Sequence, residues 1–203
     1  MTHIYFKGGP GPGLNQLNQP YCVARDSNSK TLYISEGGTN NRIMVYEFNA
    51  SSGTILVGGQ GVGTNSTQLN TPMGLYFDSL SNSLIIANCY ANNIVRSRLN
   101  TSNWELVVGN INGSYGYTSS ELWYPQDVTL DPMGNIYVAD TGNQRIQFFS
   151  VGQSNGITVA GITGTTGNTS TLLKSPYGVT LDNQLNLYVS DSANHRIQKF
   201  QRY

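Results

Sequence analysis

The feature that most limits how this chain can fold is a unit repeated four times at a spacing near fifty residues. Pro20, Pro72, Pro125 and Pro176 lie 52, 53 and 51 residues apart, each with a leucine three positions earlier (Leu17, Leu69, Leu122, Leu173) and an aspartate six positions later (Asp26, Asp78, Asp131, Asp182). A period of this length marks a structure assembled from stacked supersecondary units, none of which can bury its apolar face alone. Inside each unit the pattern is that of short strands between turn residues. Strand a follows the proline, as in Gly178-Val179-Thr180-Leu181, and a turn such as Asp131-Pro132-Met133-Gly134-Asn135 leads into strand b. The b segments Leu32-Tyr33-Ile34, Leu84-Ile85-Ile86, Ile136-Tyr137-Val138 and Leu187-Tyr188-Val189 carry the β-branched and aromatic residues that a pleated, half-buried strand favours. Strand c alternates, as in Arg145-Ile146-Gln147-Phe148. Strand d, such as Ile55-Leu56-Val57, runs into a Gly-, Ser- and Thr-rich connector.

Four antiparallel strands per unit, repeated without a helical segment, predict an all-β fold: a β-propeller of four four-stranded blades. Residues 1–203 are taken as one propeller domain, with units of about 20–71, 72–124, 125–175 and 176–203. The last unit stops after its strand c. The N-terminal segment 3–8 (His3-Ile4-Tyr5-Phe6-Lys7-Gly8) resembles a strand d and could supply the missing one, closing a four-bladed ring; a part of a six-bladed ring is the alternative.

The tail of the fourth unit, Tyr188-Val189-Ser190-Asp191-Ser192-Ala193-Asn194-His195-Arg196-Ile197, resembles the NHL repeat. The third unit, Tyr137-Val138-Ala139-Asp140-Thr141-Gly142-Asn143-Gln144-Arg145-Ile146, is similar, and the first carries Glu36 and Asn40-Asn41-Arg42. The second unit departs, with Asn88 and then Asn92-Asn93-Ile94. The strand-ending Trp-Asp pair of WD repeats is missing. The resemblance implies an NHL-type propeller and leaves function open, because one fold hosts many activities.

Eleven basic residues balance eleven acidic ones, so the net charge is zero and no basic patch argues for nucleic acid. Apolar runs fall short of the ~20 residues of a membrane helix, and Met1-Thr2-His3 opens no secretion signal. The compartment is left open, since an extracellular fragment would also fit. Five Asn-x-Ser/Thr acceptors (Asn49, Asn65, Asn100, Asn112, Asn168) are about what chance supplies, and all are expected in connectors rather than strands.

Recurrent acids and arginines are read as structural. Glu36 with Arg42, Asp140 with Arg145 and Asp191 with Arg196 are expected to pair across the b–c hairpin, and the second unit loses both charges together, at Asn88 and Ile94. Asp26, Asp78, Asp131 and Asp182 are expected to serve the a–b turns rather than a metal. Only His3 and His195 occur, so no histidine cluster matches the metal site of the NHL-type peptidyl-α-hydroxyglycine lyase; no catalytic residue, cofactor or metal ligand is assigned. Cys22 stands where Gly74 and Gly178 stand in other units, and whether it is bridged to Cys89 is not legible.

These readings favour a non-enzymatic scaffold whose connectors, 10–19, 59–71, 109–124 and 161–175, meet a protein or glycan partner. The alternative is the substrate-recognition propeller of a larger enzyme, such as a RING-type ubiquitin ligase of the TRIM-NHL kind or a tethered kinase. A lyase or hydrolase with a site in the central channel ranks third.

Overall fold

A computed structural model describes residues 9–201. The first sheet is an antiparallel meander of β1 (Pro20–Arg25), β2 (Leu32–Glu36), β3 (Arg42–Tyr46) and β4 (Thr54–Gly58). The second repeats it with β5 (Pro72–Asp78), β6 (Ser83–Asn88), β7 (Asn93–Arg98) and β8 (Trp104–Gly109). The third does so with β9 (Pro125–Leu130), β10 (Ile136–Asp140), β11 (Arg145–Phe149) and β12 (Ile157–Gly161). The fourth comprises β13 (Pro176–Leu181), β14 (Leu187–Asp191) and β15 (Arg196–Phe200). The expected closing strand 3–8 lies outside the described residues. The protein is an all-β propeller of four blades.

Apolar side chains of the second and third sheets alternate between two neighbours, as period-2 strands require, while the outward set of the first, Ile34, Met44 and Tyr46, forms a small core of its own with Leu17 and Leu32. In β6, Leu84 and Ile86 join Tyr33, Ile43 and Val57 in the core between the first and second blades. Ile85 and Ala87 point the other way, into the core shared with Val128, Val138 and Phe149 of the third. A third core, with Ile146, Ala160, Val179 and Val189, joins the third blade to the fourth. The repeated leucine seals each junction: Leu69, Leu122 and Leu173 are fully buried, whereas Leu17, with no described blade before it, is half-buried. Innermost strands pack in the order β1, β5, β9, β13, and no comparably close packing joins β13 to β1 among the described residues.

Two faces result. One carries the a–b and c–d turns. There Asp26 accepts the Asn28 N–H, Asp78 that of Leu80, Asp131 those of Met133 and Asn135, and Asp182 those of Gln184 and Asn186. The other carries the b–c turns and the connectors. Of the glycosylation acceptors, Asn65, Asn112 and Asn168 lie in connectors, but Asn49 and Asn100 lie in the c–d turns of the opposite face.

Candidate binding site at the channel mouth

The connector face is built on the b–c hairpins. Glu36 meets Arg42 at 3.0 Å, Asp140 meets Arg145 at 2.8 Å, and Asp191 meets Arg196 at 2.7 Å. In each, the remaining guanidinium nitrogens grip carbonyls of the preceding connector. Arg42 donates to Pro12, Gly13 and Gln16, Arg145 to Tyr117, Thr118 and Glu121, and Arg196 to Asn168, Thr169 and Leu172. The acid completes the clasp by accepting a connector N–H: Asn18 for Glu36, Trp123 for Asp140, Lys174 for Asp191. Burial pushes the Asp140 carboxyl up against the pull of the Trp123 N–H and Arg145. Desolvation is outweighed at Asp191, whose partner Arg196 is partly exposed and where the Asn194 amide, the Lys174 N–H and Arg196 hold the carboxyl below its usual range.

The second blade corrects one expected alignment. The partner of Asn88 is Asn93, not Ile94: Asn93 faces Asn88 across the hairpin and Gly109 of strand d, as Arg42 faces Glu36 and Gly58. The first hairpin is one residue longer than the other three, and the Asn92-Asn93 doublet hides the shift. Among these turns, the residue before the arginine position adopts the left-handed conformation (Asn41 φ 45°, Asn92 φ 53°, Gln144 φ 60°, His195 φ 53°). Its side chain reaches the next blade: Asn41 accepts the N–H of Thr71, Asn92 that of Tyr124 and Gln144 that of Ser175.

These fixed hairpins display a row of aromatic rings. Tyr115 stacks on Trp123 with centroids 5.2 Å apart, Trp123 lies 6.0 Å from Tyr124, and Tyr124 lies 5.2 Å from Tyr90 of the neighbouring b–c turn. All four are 37–64% exposed. Gly142 makes the seat: it donates its N–H to the Trp123 carbonyl, and a Cβ there would stand 2.6 Å from Cγ of the indole. Near Tyr90 stands Tyr177, whose hydroxyl pKa is raised first by burial and then by the neighbouring Tyr21, Cys89 and Tyr90, which oppose its ionisation.

At that end the channel opens in a recess of about 160 Å³, to which each blade contributes the two residues after its proline: Tyr21 and Cys22, Met73 and Gly74, Gln126 and Asp127, Tyr177 and Gly178. Asp127 is the one acid there. Its Oδ2 accepts the Val179 N–H at 2.9 Å, binding the third blade to the fourth, and Gly74 leaves the space that its Oδ1 fills. Desolvation pushes the Asp127 carboxyl up to about 6, because no lysine or arginine pairs with it among the described residues. Sequence reasoning missed Asp127 and the aromatic row. Asp127 did leave a signal, standing where two other units have glycine.

Nothing here makes a nucleophile. Cys22 and Cys89 are free thiols, and burial pushes Cys89 up to about 12 and raises Cys22, so both stay protonated near neutrality. Among the described residues, no three His, Cys, Asp or Glu side chains converge as metal ligands, and no helix is long and apolar enough to cross a membrane.

The NHL-repeat family model matches residues 122–149 and 173–200, in the third and fourth units. Over 92 residues the chain is 30% identical to NHL repeat-containing protein 3 of Mus musculus and 29% identical to that of Homo sapiens. That stretch is 45% of this chain and 26% of either relative, so the match spans about a quarter of the curated relatives' length. Among solved structures, a protein of unknown function from Bacteroides thetaiotaomicron superposes with a TM-score of 0.73 at 16% identity, over 90% of this chain and 47% of that one. An auxiliary nutrient binding protein of the same organism gives 0.69 at 18% identity, over 87% and 46%. A chain of a nidogen/laminin complex gives 0.67 at 18%, over 92% and 65%. At such identities the likeness is one of fold.

Proposed function

We propose, from the premise that this chain is an NHL-repeat β-propeller, that it is a non-enzymatic binding scaffold whose connector face holds a protein partner. The observation that carries this reading is the exposed row Tyr115, Trp123, Tyr124 and Tyr90. Large rings left in water are unfavourable unless something covers them, and tyrosine and tryptophan dominate interface hot spots. The connector that bears three of them, 109–124, is otherwise glycine, asparagine, serine and threonine with few aliphatic or charged residues. That is the composition of binding loops in which rigid aromatic anchors are set among adaptable polar groups. The Arg145 and Asp140 clasp holds this loop in place, so little ordering is left for the binding step. The fold is shared with a chain of a nidogen/laminin complex and with an auxiliary nutrient binding protein, which agrees with a binding role.

The test is to pan the immobilised chain against a random peptide library and a neutral-glycan array beside the Trp123→Ala/Tyr124→Ala variant. Both backbone N–H bonds at these positions survive the substitutions, so the variant should melt near the parent. Peptides retained by the parent and lost by the variant support the scaffold. Selection of nothing, or of ligands indifferent to the variant, overturns it.

A further inference from the structure

We infer that the recess at the channel mouth is a socket for one cationic side chain, a lysine or arginine of the partner, with Asp127 as its counter-charge and Tyr21 and Tyr177 as its walls. This rests on the scaffold reading and names the chemistry at one end of the same face. A volume of about 160 Å³ suits one ring-sized or head-group-sized moiety, not a whole ligand. The lining contains no lysine, arginine or histidine. Asp127 is half-buried, and its described hydrogen bonds come from backbone, notably the Val179 N–H. A desolvated carboxylate without a cation is costly, and a cation entering from outside would relieve that cost.

The surrounding groups agree with a cation more than with a neutral or acidic guest. Tyr21 and Tyr177 both line the recess and are each about half exposed, 46% and 45%, and tyrosine faces attract ammonium and guanidinium groups. Tyr90, at one end of the aromatic row, is near enough to Tyr177 to oppose its ionisation, so a peptide with its basic residue in the socket can lay its neighbours on the row. Around Asp127 the titratable groups are Cys22 and Tyr21 from β1 and Tyr177 from β13; β5 offers Met73 and Gly74. None of these is a cation that would compete for the site.

The experiment titrates the parent with the N-acetyl methylamides of arginine, lysine and norleucine, following the Val179 amide by nuclear magnetic resonance. Arginine and lysine derivatives should shift that amide and norleucine should not. With the carboxyl titrating at about 6, affinity should be about tenfold weaker near pH 5 than near pH 7. Asp127→Asn should lose both the binding and its pH dependence while remaining folded. Tyr21→Ala and Tyr177→Ala should each weaken binding about 2- to 30-fold. Equal response to norleucine, or unchanged binding in Asp127→Asn, overturns the socket. If the peptide library yields binders that need Trp123 but no basic residue and ignore Asp127→Asn, the socket falls and the scaffold stands. If it yields none, the scaffold falls too.

Discussion

In the third blade the b–c hairpin is closed by Asp140 and Arg145, which are 0% and 3% exposed, and in the second the same two positions hold Asn88 and Asn93, 3.2 Å apart. The ionic version does two things: it joins the strands, and its spare donors clasp the preceding connector. The neutral version joins the strands and keeps the acid's half of the clasp, Asn88 accepting the Asn70 N–H, but it lacks the arginine's half, with Asn93 turned to the Asn110 carbonyl of the following connector. Trp104 then takes over the arginine's half, donating its indole N–H to the Gln68 carbonyl. The charge is therefore dispensable to the hairpin, and connector retention is the duty that must be met by some donor. Asp127 supplies a third case in the same molecule, a half-buried acid for which no cation stands ready among the described residues.

The largest effect should come from breaking the ionic version on one side. Arg145→Ala leaves Asp140 buried and several connector carbonyls without donors, a loss of about 3–5 kcal/mol, or roughly 6–20 °C in Tm, by calorimetry. Unchanged melting would show that the pair is inert. Next is Asp127→Asn, which keeps an oxygen for the Val179 N–H and removes the charge. The folded carboxyl, at about 6, holds its proton more tightly than the unfolded one, so parental stability is greatest below about pH 4. It declines as pH rises to about 6 and is level above, a total of about 3 kcal/mol. Urea unfolding should therefore find the variant more stable than its parent near pH 7 and equal near pH 4; a gain independent of pH would contradict this.

Smaller is Asn88→Asp, which places a carboxylate opposite Asn93 with no arginine. A loss of about 1–3 kcal/mol that fades on acidification is expected from the same unfolding experiment. Smallest is the exchange Asp140→Asn/Arg145→Asn, which gives the third blade the chemistry of the second. Removing both charges should cost less than Arg145→Ala alone, with a coupling of about 0.5–3 kcal/mol in the double-mutant cycle. Additivity would mean that the two side chains do not act as a unit.

The propeller was legible because the Pro, Leu and Asp positions recur at one period, and recurrence in four copies outweighs weak strand propensities. The correlated presence of acid and arginine was legible for the same reason. The assignment of Ile94 failed because hairpin length differs between blades and a doublet of asparagines aligns two ways. Asp127 was visible as a break in pattern, but its burial is a property of the channel, which needs four blades to exist. The aromatic row was not legible at all: Tyr90 and Tyr124 are far apart in sequence and meet only because the b–c turn of one blade and the connector into the next share a face.

The left-handed turn residues hand one bond forward, from Asn41 to Thr71, Asn92 to Tyr124 and Gln144 to Ser175, always to the blade that follows. With cores shared only between neighbours, the molecule behaves as a short one-dimensional array in which each unit stabilises the next. Protection of backbone amides against hydrogen exchange should therefore be graded along the chain, deepest in β6 and β10, which are flanked on both sides. It should be shallower in β14, which has one described neighbour and two residues only partly buried, so that opening starts in the fourth blade rather than in the middle.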